Sequence, residues 1–207
     1  MSIGLFGNKV GMTQVFNNEG LSIPVTIIRV GPCLITQIKT LESDGYQAIQ
    51  IGYFQVPLRK VTKPQLGHLK KASAPPLKYL GEYLTNEVEN YHLGQSLSLD
   101  IFHLGQLLNI SGTSVGKGFS GNPKRHNFKR GPMTHGSKNH RAPGSIGPGT
   151  TPGRVFPGKK MPGQYGAKQI TISKLEVLGI DVSQNLLIVK GNVPGKPGNL
   201  LKIKPSN

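Results

Sequence analysis

Leu21-Ser22-Ile23-Pro24-Val25-Thr26-Ile27-Ile28-Arg29-Val30 is the run whose reading decides the fold. It is β-branched and partly alternating, and it stops at Gly31-Pro32, which is strand composition ended by a turn signal. Leu34 to Lys39 resumes the pattern, and Tyr46 to Phe54 (Ala48, Ile49, Ile51, Tyr53) supplies another run. Asn17-Asn18-Glu19-Gly20 and Ser43-Asp44-Gly45 are hairpin-type turn signals beside these runs. Short strands with turns at intervals of about ten residues point to a mainly β chain, built as a barrel or sandwich.

Further along, Pro57, Pro64 and Pro75-Pro76 break any long element, and Gly67 to Ala74 is the place for a short helix. Ser96 to Ile101 alternates as a half-buried strand would. Leu107 to Ile110 then leads into a segment of different composition. Strand-like runs return at Ile170-Thr171-Ile172, Leu175 to Leu178, Leu186 to Val189 and Leu200 to Ile203. Residues 1–110 together with 170–207 therefore read as one globular β domain, and 111–169 as an extension inserted between its strands.

That extension carries the charge. Between Asp100 and Glu176 the chain runs 75 residues without an acid and with twelve bases, while the remainder holds thirteen bases against nine acids. Of the formal net charge of +16, +12 lies in this stretch. A field of one sign repels itself, and a polyanion screens it; nucleic acid is the leading candidate. Residues 111–169 also hold 13 Gly and 7 Pro, with apolar side chains too scattered for a core. Alone, such a segment is expected to be mobile and to order on a partner. Only Pro123 to Arg130 has the makings of a helical turn or two.

The residue types suit RNA. Glycines allow close backbone approach to phosphates, arginines fork onto phosphate and stack on bases, and Phe119, Phe128, Phe156, Tyr165, His126, His135 and His140 offer flat faces among the charges. No helix-turn-helix, zinc finger or basic zipper is present to enter a major groove. Gly116-Lys117-Gly118-Phe119-Ser120-Gly121 spells a dinucleotide fingerprint, but Pro123 follows at once and no acid comes until Glu176, so the helix and ribose-binding acid are missing. A P-loop fails because Ser111 stands where its first Gly belongs and Gly118 where the magnesium-binding hydroxyl belongs. His126, His135 and His140 have no Cys or carboxylate near them in sequence, so no metal site is assigned. No catalytic residues and no cofactor are assigned either. The single cysteine, Cys33, lies in an apolar strand-like run and reads as a buried thiol of a reducing compartment. The opening residues, Met1 to Lys9, lack the pattern of a secretory signal, and no run approaches the roughly 18 apolar residues of a membrane span. The expectation is a protein that works where it is made, without membrane or small-molecule substrate.

Several stretches resemble the ribosomal protein L3 family of the large subunit. They are Leu5 to Phe16 (LFGNKVGMTQVF), Gly112 to Phe119 (GTSVGKGF), Thr134 to Ser137 (THGS), His140 to Gly147 (HRAPGSIG) and Thr151 to Gln164 (TPGRVFPGKKMPGQ). The likeness spans nearly the whole chain and is most specific from 134 to 164; the length resembles the bacterial or plastid form. The resemblance implies a six-stranded, translation-protein-type β-barrel with a long irregular loop that reaches through large-subunit rRNA toward the peptidyl transferase centre. It also implies binding early in subunit assembly near the rRNA 3′ region, a place on the ribosome in bacterial cytoplasm or plastid stroma, and neighbouring ribosomal proteins as partners. The loop maps onto 111–169 and its tip onto Gly147, Pro148, Gly149, Thr150, Thr151, Pro152 and Gly153. Many bacterial relatives carry a methylated glutamine in that tip; here Pro148-Gly149-Thr150 follow Gly147, so the acceptor is missing.

The expected rRNA-binding residues are Lys117, Lys124, Arg125, His126, Phe128, Lys129, Arg130, His135, Lys138, His140, Arg141, Arg154, Lys159, Lys160, Gln164 and Lys168. Lys124, Arg125, Lys129 and Arg130 would hold the loop base, and Arg141, Arg154, Lys159 and Lys160 its deeper part. The alternative reading is a free-standing RNA chaperone or basic RNA-binding module using the same loop.

Overall fold

The computed structural model describes residues 3–206. Twelve strands follow in chain order: β1 (Leu5–Phe16), β2 (Ser22–Val30), β3 (Cys33–Lys39), β4 (Ala48–Gln55), β5 (Leu77–Leu84), β6 (Ser96–Leu97), β7 (Leu107–Thr113), β8 (Phe119–Ser120), β9 (Gly163–Gln164), β10 (Gln169–Asp181), β11 (Leu186–Lys190) and β12 (Leu200–Pro205). Three short helices, α1 (Leu41–Asp44), α2 (Lys63–Lys71) and α3 (Asn122–His126), lie between them. The contacts divide the chain into two compact units: one runs to Thr113 and resumes at Gln169, and the other is Ser114–Lys168.

In the first unit six strands close a barrel in the order β1-β12-β7-β10-β11-β2, with every barrel pairing antiparallel. The barrel strands obey the two-residue period of a sheet that is buried on one face. Leu108 and Ile110 of β7, Leu187 and Val189 of β11, and Leu201 and Ile203 of β12 are fully buried, and the residues between them are not. Closure leaves this sheet with no free edge. A second sheet, β5-β4-β3-β6, adds Cys33, Ile35, Ile49, Ile51 and Leu97 to the same hydrophobic cluster.

Close approach fixes how the two sheets meet. The buried Tyr83 of β5 donates its hydroxyl proton to the carbonyls of Leu5 (2.8 Å) and Ile203 (3.3 Å), bridging β1 and β12. Gly4 lies at that junction, where a Cβ would stand 2.0 Å from the Ile203 carbonyl oxygen and 2.5 Å from the Tyr83 ring. Lys9 is buried, and its ammonium donates to the carbonyls of Val193 (3.1 Å) and Gly195 (3.2 Å), so it ties down the Gly/Pro-rich loop before β12. Burial lowers its pKa.

Several expectations change in detail. The helix expected from Gly67 to Ala74 is α2, which begins at Lys63, because Pro64 occupies a first-turn position where no N–H is needed. Ser96 to Ile101 is strand only to Leu97; the Ser98 hydroxyl binds the Asp100 carboxylate and Leu99–Ile101 forms a 3-10 turn. The Ser43-Asp44-Gly45 turn is the end of α1, with Gly45 at φ 78 as its left-handed cap. The Asn17 turn joins β1 to β2, with Asn17 Oδ1 accepting from the N–H groups of Glu19 and Leu21.

Two measurements probe this packing. Gly4→Ala forces β1 and β12 apart and is expected to destabilise the chain by about 2 kcal/mol, a fall of ~4–8 °C in Tm. Gly11→Ala, with nothing within 4 Å of the added carbon, is expected to stay within about 0.5 kcal/mol of wild type. Cys33 is fully buried, and burial pushes its thiol up to about 12. It is therefore expected to resist iodoacetamide at pH 8 in the native chain and to alkylate once urea unfolds it, as mass spectrometry would read.

Candidate nucleic-acid interface

The second unit, Ser114–Lys168, leaves the barrel after β7 and returns at β10. Its ends are held by a local ladder. Ser114 N–H donates to the Lys168 carbonyl (2.9 Å), Ala167 N–H to the Ser114 carbonyl (3.2 Å), and Lys117 N–H to the Tyr165 carbonyl (2.9 Å). β8 then pairs with β9, aligning Phe119 with Gln164 and Ser120 with Gly163. Beyond this ladder the backbone is mostly irregular, as a third of Gly and Pro in the segment requires.

Within Pro123 to Arg130 the structure forms α3 over Asn122–His126, opened by Pro123 and ended by Asn127 at φ 58. Phe128, Lys129 and Arg130 therefore lie past the helix. The helix turns Arg125 and His126 toward the returning segment just before β9. Arg125 Nη1 donates to the Met161 carbonyl at 2.7 Å, and His126 Nε2 donates to the same oxygen at 3.1 Å. Asn122 Nδ2 donates to the Lys160 carbonyl at 3.3 Å. Against Gly163 a Cβ would meet the Arg125 guanidinium at 2.6 Å. Farther out, His140 Nδ1 donates to the Pro132 carbonyl at 2.9 Å, and Gly131 N–H donates to the His140 carbonyl at 3.0 Å.

The sequence-selected residues thus divide. Arg125, His126, Phe128 and His140 are partly buried, and all but Phe128 tether the unit through their side chains; the Phe128 ring sits 6.1 Å from that of His126. Lys117, Lys124, Lys129, Arg130, His135, Lys138, Arg141, Arg154, Lys159, Lys160, Gln164 and Lys168 are exposed. The Lys117 ammonium stands 4.8 Å from the centroid of the Tyr165 ring. Phe119 is 79% exposed. In the tip, Gly147 to Gly153, every residue but Pro152 is exposed; Gly147 (φ 131) and Gly153 (φ 68) take positive φ, and Gly153 N–H closes back on the Gly149 carbonyl at 3.1 Å.

The electrostatics are one-sided. The ion pairs found among the described residues, Lys39 with Asp44 and Glu82, and Lys190 with Glu176, all belong to the first unit. The bases of the second unit make no ion pair within it. Exposed cations and aromatic faces on an irregular, glycine-rich backbone can do two things: neutralise phosphates and stack unpaired bases. Among the described residues there is no group of three or more His, Cys, Asp or Glu able to hold a metal ion.

What composition does not reveal is the tethering role of Arg125, because a basic side chain looks alike in sequence whether it faces water or a carbonyl. Arg125→Met is expected to remove about 1 kcal/mol of tethering and to speed chymotryptic cleavage after Phe128, which follows α3 and is partly buried, about fivefold through local opening. Barrel Tm is expected to hold. Equal cleavage rates in the two proteins would mean that the Met161 contact carries no weight.

Residues 82–185 match the family model described as Ribosomal protein L3. The chain is 60% identical to "Large ribosomal subunit protein uL3" of the cyanobacterium Picosynechococcus sp. over 208 residues, covering 100% of this chain and 98% of that one. It is 61% identical to "Large ribosomal subunit protein uL3c" of Phaeodactylum tricornutum, with 100% of each chain covered. The uL3c of Porphyra purpurea is 60% identical over 98% of this chain and 99% of its own length. With full-length identity of this order, a β-barrel with the expected strand count and a long basic excursion from it, the chain belongs to the ribosomal protein L3 family.

Proposed function

We propose that the chain is a structural constituent of the large ribosomal subunit, on ribosomes of a bacterial cytoplasm or a plastid, and that it binds large-subunit rRNA through residues 114–168. One observation carries the RNA reading: the second unit exposes twelve of its sequence-selected residues, nearly all cationic, and has no acid of its own to neutralise them. Arg141, Arg154, Lys159 and Lys160 contact phosphates in the deeper part of the interface, and Lys124, Lys129 and Arg130 hold its base. Phe119 and Phe128 offer stacking faces. Glycines 147, 149 and 153 let the tip turn tightly between RNA strands, directed toward the peptidyl transferase centre. The chain acts early in subunit assembly, near the 3′ region of the large rRNA, by neutralising phosphates that would otherwise repel one another. Its partners are that rRNA and neighbouring ribosomal proteins, and its role is architectural, with no chemistry of its own.

The test is assembly. Arg141→Glu combined with Arg154→Glu reverses two exposed charges on the second unit, so barrel Tm is expected to hold while large-subunit particles accumulate as slower-sedimenting precursors. A normal subunit profile in cells living on the double variant would sink the reading of these two residues. Sedimentation of the wild-type chain in high salt tests the rest. Retention at about one copy per large subunit supports the constituent role, and release to the top of the gradient favours a free RNA chaperone, since superficial phosphate contacts weaken steeply with salt.

A further inference from the structure

A second constellation lies in the first unit, away in sequence from every residue assigned above. Asn8 of β1 and Arg29 of β2 are directly opposed cross-strand partners, so their side chains share a face. Both line a groove of about 480 Å³, whose other walls include Pro32, Tyr53, Phe54 and Pro75. That volume lies within the range of small-molecule sites, about 300–1,000 Å³. The groove has one base and no acid in its lining.

Two features of the groove lack an internal explanation. The Oδ1 of Asn8 is buried and has no hydrogen-bond partner, an arrangement that native proteins avoid unless something else supplies the donor. Nor do the described residues give the Arg29 guanidinium an ion pair or hydrogen bond; the Tyr53 hydroxyl donates to the Arg29 backbone carbonyl, at 3.2 Å, and feels the guanidinium only through space. Phe54 is the second feature. It takes φ 66, a left-handed conformation that is an outlier for a bulky side chain. The residue stays 45% exposed, its ring 6.2 Å from that of Tyr53 and 6.4 Å from that of Tyr79. Backbone strain at a half-exposed aromatic residue is the kind that persists at ligand clamps.

The chemistry of the lining matches one class of ligand. Aromatic and proline faces take the flat surface of a base. A carboxamide offers a donor and an acceptor to a base edge, best matched by adenine, and a free guanidinium forks onto phosphate. We propose that this groove receives a single unstacked nucleotide of the large-subunit rRNA, its base on Phe54, its edge at Asn8 and its phosphate at Arg29. The proposal rests on the rRNA-binding reading above and adds a second contact, on the barrel unit. A proline- or aromatic-bearing peptide of a neighbouring protein would fit the same walls, but it would leave the guanidinium unpaired beside a chain already at +16.

Photocrosslinking separates these occupants. The full-length chain carries p-benzoylphenylalanine in place of Phe54, is assembled into large subunits in cells, and is irradiated there. The expected product is an adduct to rRNA that maps to one nucleotide by reverse-transcription arrest, with its yield cut at least fivefold when Arg29→Glu is added. In subunits carrying Phe54→Asn, a residue that tolerates positive φ, an adenine there is expected to become reactive to dimethyl sulfate with no loss of Tm. An adduct to a protein, no adduct from a chain that is present in the subunit, or unchanged reactivity in the Phe54→Asn subunits would overturn the proposal. A chain that fails to sediment with the large subunit at all would instead defeat the constituent reading, and this proposal with it.

Discussion

Both the barrel and the basic unit depend on the pairing of β7 with β10. It is one of the six contacts that close the barrel, and it also holds the two ends of the basic unit side by side, with Thr113 opposite Gln169. Neighbouring strands sit about 4.8 Å apart, so a 55-residue excursion between them, Ser114–Lys168, starts and finishes at one place on a rigid sheet. The entropy of closing such a loop grows only slowly with its length. A short strand pair is therefore enough to carry a long insertion, provided the core beneath it is sound. Leu108, Ile110 and Val177 supply that core from β7 and β10, each almost wholly removed from water.

The barrel was legible where one face is buried and the other wet. β2, β7, β11 and β12 show β-branched or alternating runs because their side chains alternate between core and solvent. β1 was harder to see, since from Val10 to Phe16 no residue is buried; its pairing with β2 supplies the order that hydrophobicity does not advertise. β5 was missed for a related reason. Leu-Lys-Tyr-Leu-Gly-Glu-Tyr-Leu carries a glycine and unbranched leucines, and Gly81 is there because the Phe6 ring comes within 2.6 Å of where its Cβ would be. That is a packing demand from 75 residues away, and no local pattern could express it. Pro64 misled in the opposite direction, since a proline reads as a breaker until its place in the first turn of α2 is known.

The candidate interface was legible as a segment and less so as individual residues. Charge, glycine and the absence of acid set the segment apart in sequence. The roles of its side chains depend on which carbonyls lie within reach, and that is tertiary information. The same holds in the first unit, where Lys9 and Lys202 serve the fold. Lys202 donates to the Glu82 carbonyl at 2.6 Å and lies 4.4 Å from the centroid of the Tyr83 ring, and burial lowers its pKa. A count of bases alone would have assigned both to the polyanion.

The two units use their cations by different rules. In the first, Lys39 meets Glu82 at 2.9 Å and Lys190 meets Glu176 at 3.3 Å, so charge is partly cancelled where it stands. In the second, structural hydrogen bonds run to uncharged backbone oxygens: Arg125 and His126 to Met161, Asn122 to Lys160, His140 to Pro132. A carbonyl accepts the bond without neutralising the donor, so the unit gains internal order and keeps its potential. Carboxylates in those places would give stronger bonds, but each would remove one unit of the positive charge on which the proposed rRNA binding rests. The absence of acid from Ser114–Lys168 is consistent with two requirements on the same residues, a defined backbone path and an undiminished positive charge. The cost is a unit held by single hydrogen bonds worth about 1 kcal/mol each. In the proposed role, rRNA would complete this unit by screening the mutual repulsion of its free lysines and arginines.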